Sequence, residues 1–142
     1  MSNLYDSARD GFLRGEIVWK VDGSIIKAAL VRGYNYSVSH QHMSDVAGAG
    51  GTVVAETTLS SLTTSGGAAD AADAVFQEVP EGAAIPHIVI FQASAVEGGD
   101  DVPASQQRLI ALIDRGPGIP VLPNGQDITV RWSPGSDRIF RI

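Results

Sequence analysis

Over residues 3–14, NLYDSARDGFLR, apolar side chains recur at helical spacing: Leu4, Ala8 and Phe12, with Tyr5 forming a parallel stripe with the latter two. Gly11 weakens that helix and Gly15 supplies its stop, so a short amphipathic helix or helical turn is predicted. The period then changes. EIVWKV and SIIKAALVRG are rich in strand formers, and Asp22-Gly23 between them is a tight-turn dipeptide. Residues 17–21 and 24–31 are therefore expected to pair as an antiparallel hairpin. The polar, aromatic YNYSVSHQHMSDVAG follows, with one helical turn near residues 40–46 and Ser39 as its cap.

Further strands are expected at 52–59, where Thr and Val dominate, and at 74–79, closed by Pro80. AADAAD ahead of the latter reads as an extended lead-in despite its alanines. IPHIVIFQAS, residues 85–93 in particular, is almost continuously apolar, the mark of a strand buried on both faces. RLIALIDRG fits strand or helix by periodicity, and its length and the Gly-Pro-Gly after it favour a strand. Asn124-Gly125 introduces another at 128–132, and SPGSD turns into a final RIFRI. The sum is about eight short strands with turn signals between them. This predicts an all-β chain: an antiparallel sandwich or jelly-roll-like barrel with a short N-terminal helix. Residues 1–142 form a single domain, of which 1–15 are a helical or anchoring segment.

Composition narrows the partners. The chain has 142 residues, 44% of them hydrophobic, with a formal charge of −6 from 16 carboxylates against 10 basic groups. A nucleic-acid binder needs a cationic surface to displace counterions, so no nucleic-acid partner is expected; Arg138 and Arg141 are too few to form a basic stripe. No apolar run approaches the roughly 20 residues that span a bilayer, so no membrane partner is expected. The N-terminus lacks the cationic head and apolar stretch of a signal peptide. Without cysteine there are no disulfides or thiolate ligands, which fits assembly in a reducing cytoplasm.

Candidate chemistry is sparse. His40 and His42, spaced to share one strand face, could complete a metal shell with Asp45, but the helical His-Glu-x-x-His spacing is absent. Ser60, Ser61, Ser65 and Ser94 lie outside any Gly-x-Ser-x-Gly elbow. Residues 48–51, Gly-Ala-Gly-Gly, lack the Lys-Ser/Thr of a phosphate loop and run into a strand. Glu97, Asp100 and Asp101 lack EF-hand spacing and read as a solvated acidic loop. Trp19 and Trp132 sit in alternating contexts that suit core packing better than sugar stacking. No catalytic residue, metal ligand or cofactor is expected, and the chain reads as non-enzymatic.

Several motifs nevertheless recur in order. A Tyr-Asp helix leads into Ile-x-Trp (YDSARDGFLRGEIVW, Tyr5 to Trp19), and Ile-Lys-x-x-Leu-Val follows at Ile26 to Val31. His40 or His42 precedes Ser44-Asp45-Val46, and DAADAVFQEV supplies an Ala-Asp-aliphatic-aromatic strand. Leu122 to Trp132, LPNGQDITVRW, closes the series with Ile139-Phe140. Together these resemble a group of small virion proteins of tailed bacteriophages, over most of the chain. Gln126, where a second glycine is expected, and the long loop 95–107 depart from the pattern.

The resemblance implies a structural virion protein that decorates or cements the major capsid lattice. It would be assembled in the host cytoplasm, with the major capsid protein, other virion proteins and copies of itself as partners. A tail or head-tail connector component, or a glycan-binding β-sandwich on the virion, is the alternative. Leu4, Tyr5 and Phe12 of the segment 2–14 are the expected partner-binding residues. Against that stands the reading that the same stripe covers the open end of its own sandwich.

Overall fold

The computed structural model describes residues 2–20, 23–94, 100–114, 119–132 and 138–142, with the side chains of Ser2 and Asn3 left aside. In chain order the elements are β1 (Ser2–Leu4), α1 (Asp6–Arg14), β2 (Ile25–Arg32), α2 (Met43–Gly48), β3 (Thr52–Thr58), β4 (Thr63–Ser65), β5 (Ala68–Asp70), β6 (Ala74–Phe76), β7 (His87–Ser94), β8 (Arg108–Ile113), β9 (Ile128–Val130) and β10 (Phe140–Arg141). All pairings are antiparallel. They build a five-stranded sheet ordered β1-β8-β7-β2-β3, a three-stranded sheet ordered β10-β5-β4, and the pair β6-β9. The result is all-β and sandwich-like with one short N-terminal helix. The sheets are open, so the closed-barrel form of the expectation is not the one adopted.

The large sheet is built where apolar residues run without alternation. β7 is buried from Ile88 to its end, β8 from Leu109 to its end, and β2 from Ala28 to Val31. Continuous burial means that both faces are covered. Each fully buried Ile, Leu or Phe stabilises by about 1.5–3 kcal/mol relative to exposure, and among the described residues these three strands hold eight of the twelve largest fully buried side chains. The helix α1 packs on β8 and ends at Gly15, whose φ of 73° is a left-handed stop that glycine takes without strain.

The expected hairpin is a correction. Residues 17–20 form no strand, and Val21 and Asp22 lie outside the described residues. The strand β2 already has β7 on one side and β3 on the other, leaving no edge free for residues 17–21. Instead the amide side chain of Gln92, 4% exposed, holds this segment. The Val18 N–H donates to Gln92 Oε1 at 3.2 Å, and Gln92 Nε2 donates to the Glu16 carbonyl at 3.0 Å. Beyond it the Gly23 N–H donates to the Lys20 carbonyl and the Ser24 hydroxyl to that of Val18.

Two other elements shift. The helical turn expected at 40–46 is α2, and its cap is His42 rather than Ser39, whose hydroxyl instead pairs with that of Ser37 at 2.8 Å. The strand expected at 74–79 stops at Phe76, because Glu78 takes a left-handed φ of 46°. The Asn124-Gly125 turn docks on that stop: the Gly125 N–H donates to the Val79 carbonyl and the Val79 N–H to that of Gln126. Asp127 accepts from the Glu78 N–H, and the expected strand 128–132 narrows to β9.

Candidate functional site

The three tyrosines of the chain and two of its three histidines gather at one end of the five-stranded sheet. Tyr5 follows β1, is fully buried, and is fixed by its own N–H on the Ile110 carbonyl. Tyr34 and Tyr36 follow the exit of β2 through Gly33, whose φ of 78° bends the chain back over the sheet. The Tyr5 and Tyr34 hydroxyls are 3.0 Å apart, and the Tyr34 hydroxyl is 2.7 Å from His40 Nδ1. Tyr36 meets both other tyrosine rings edge-on, with centroids 5.3 Å and 6.3 Å away. With Tyr5 donating to Tyr34 and Tyr34 to an unprotonated Nδ1, every hydroxyl hydrogen in the chain of bonds finds an acceptor.

Burial raises the pKa of all three phenols above the ordinary tyrosine value. For Tyr5 the Tyr34 hydrogen bond adds to the effect, and for Tyr36 the nearby Asp6 carboxylate adds to it. Phenols held protonated are donors and packing groups rather than nucleophiles. Asp45 is held below the usual carboxylate range by the Gln41 and His42 N–H groups, both on its Oδ2, and serves to cap α2. His87 opens β7 and lies 6.1 Å from the Tyr34 ring. Burial lowers its pKa, partly offset by Asp114, which follows β8. The buried His87 Nδ1 and Asp114 Oδ1 each lack a hydrogen-bond partner. The Ile88–Ile113 register sets these two residues on adjacent strands at the same sheet end.

His40 and His42 do not share a strand face: one ends the tyrosine chain and the other caps α2. No group of three or more His, Asp or Glu among the described residues is placed to hold a metal ion. The segment 48–51 ends α2 and leads into β3 as a turn. Asp100 and Asp101 are exposed, with Asp101 paired to Lys27 at 2.6 Å; Glu97 lies outside the described residues. Ser60, Ser61 and Ser65 are exposed. No helix among the described residues is long and apolar enough to cross a membrane.

Both tryptophans are half-buried, and each indole N–H donates to backbone. Trp19 reaches the Thr63 and Asp70 carbonyls at 3.2 and 3.3 Å, and its ring meets Phe140 edge-on. Trp132 reaches the Ala72 carbonyl at 3.0 Å.

The expected partner-binding stripe is turned inward, a second correction. Leu4 and Tyr5 are core residues, and Phe12 is half-buried with its ring 5.9 Å from that of Phe140. The reason is that β1 joins the edge of the large sheet, which draws the start of α1 over the core. What the N-terminal segment leaves outside is Leu13, 86% exposed. Its signal was legible: it stands four residues after Arg9 and three after Asp10, on the charged face of the helix.

No protein-family model matches this chain, and comparison with the curated proteins and with the solved structures finds no match.

Proposed function

We propose that this chain is a non-enzymatic structural protein of a tailed-bacteriophage virion, decorating the major capsid lattice together with copies of itself. The observation that carries this reading is where the chemically capable side chains are used. Tyr5, Tyr34 and His40 bond to one another, Asp45 caps a helix, and both indole N–H groups bind backbone carbonyls. That use suits a protein whose task is to hold a shape. The ordered phage-like motifs of the sequence supply the virion assignment. Many copies on a shell make weak single contacts sufficient through avidity. With Leu4 and Tyr5 inside the core, the outer face of α1 around Leu13 takes the role of neighbour contact.

Mass spectrometry and cryo-electron microscopy of purified particles test the proposal. Density for the chain repeated over the shell is expected, and absence from particles refutes it. Copies confined to one vertex or to the tail reassign the protein to a connector or tail part. A glycan-binding role on the virion is the second reading, favoured by the partial exposure of Trp19 and Trp132. A glycan-array signal abolished by Trp132→Ala would establish it.

A further inference from the structure

The large sheet has unequal edges. One is β1, three residues long and followed at once by a helix. The other is β3, seven residues long, with no buried residue and β2 as its one hydrogen-bonded neighbour among the described residues. Edge strands are commonly protected by lysine, proline or several charges. Here TVVAETT carries a single charge, Glu56, already 3.9 Å from Lys27. The short strand β6 packs close to β3 but forms no ladder with it among the described residues; its one ladder is with β9, so the outward backbone groups of β3 stay unpaired by it.

We infer that β3 pairs antiparallel with β3 of a second copy, across a two-fold axis at Thr57. Three observations select that register. The Leu59 N–H donates to the Ile26 carbonyl, so by antiparallel alternation Thr57 and Ala55 turn their backbone groups toward β2, and Glu56 and Thr58 turn theirs outward. Centring the pair on Glu56 would set two carboxylates opposite each other, which is destabilising. Centring it on Thr58 needs Ser60, whose carbonyl already accepts the Ala72 N–H. Centring on Thr57 pairs Glu56 with Thr58 of the second copy twice over, giving about four backbone hydrogen bonds and a favourable Thr–Thr contact. The register slip at Val54, which leaves Ala55 opposite Leu30 and Val53 opposite Val31, ends the regular edge and limits pairing to residues 55–59.

So short an interface is weak and reversible. It needs no virion, so failure of the self-pairing and failure of the decoration role are separate results. Analytical ultracentrifugation of the purified chain across micromolar to millimolar concentration is expected to show monomer passing to dimer. A monomer throughout overturns the inference. Glu56→Pro removes an outward N–H that the β2–β3 ladder does not use, and is expected to weaken dimerisation by about tenfold or more with an intact melting curve. A folded Glu56→Pro chain that still dimerises like wild type overturns the inference. Thr57→Lys and Thr57→Glu, each monomeric alone, are expected to form a mixed dimer when combined, because the axis places position 57 opposite itself. If both variants are folded and the mixture stays monomeric, the register is wrong.

Discussion

β7 and β3 lie in one sheet with only β2 between them, yet they are held in different ways. Every residue of β7 after His87 is buried, whereas none of β3 is. The side chains of β7 specify its position, since both faces are close-packed and a one-residue slip would set each side chain in a space shaped for its neighbour. The backbone ladder to β2 places β3, and its Thr and Val content supplies extended propensity without burial. One sheet thus joins a middle specified by its side chains to an edge placed by its backbone.

The largest expected effect tests the middle. Phe91→Ala should destabilise by about 3–5 kcal/mol in urea melts, since the ring is fully buried. A loss below about 1 kcal/mol would break the contrast with β3. Next comes the end of the same sheet: Tyr34→Phe strands the Tyr5 hydroxyl and His40 Nδ1 together, at a cost of about 1–3 kcal/mol. A double-mutant cycle with Tyr5→Phe should show strong coupling, because both substitutions break the same bond.

His87 sharpens the comparison through pH. Its folded pKa lies below the ordinary 6.5, so the unfolded chain takes up a proton at a pH where the folded chain resists it. The stability His87 provides by remaining neutral is present above pH 6.5 and is lost as pH falls through the lowered folded value. Between about pH 7 and pH 5 the melting temperature of wild type should therefore fall more steeply than that of His87→Leu. Parallel slopes would show that the imidazole is not constrained by burial. The smallest effect belongs to the edge: Val53→Ala, at a side chain 41% exposed, should stay within about 0.5 kcal/mol of wild type.

The same contrast explains what could be read from the sequence. The strand β7 was legible as an unbroken apolar run of strand length, and β3 as a stretch dominated by Thr and Val. By contrast, RLIALIDRG fits strand or helix by periodicity, and only its length and the Gly-Pro-Gly after it favour the strand β8. The Asp22-Gly23 signal misled because a dipeptide fixes a turn but not the partner of the strands around it. That partner was decided by Gln92, whose lone amide inside IPHIVIFQAS was itself a hint that some backbone needed satisfying there. The stripe Leu4, Tyr5 and Phe12 is apolar in the sequence alone, but which surface it covers depends on β1 joining β8, a contact with a residue more than a hundred positions away. The tyrosine cluster had no local signature, since Tyr5, Tyr34 and His40 meet only through the return of the chain over the sheet.

The two indoles have an optical consequence. Trp19, near one end of the chain, and Trp132, near the other, both close on the stretch from Thr63 to Ala72, which includes all of β5. They are the only tryptophans in the chain, so their emission reports on that stretch, while amide circular dichroism weighs the whole sheet content. A fluorescence transition that precedes the circular-dichroism transition would time the release of the small sheets apart from the large one, and coincident transitions would make all three a single cooperative unit.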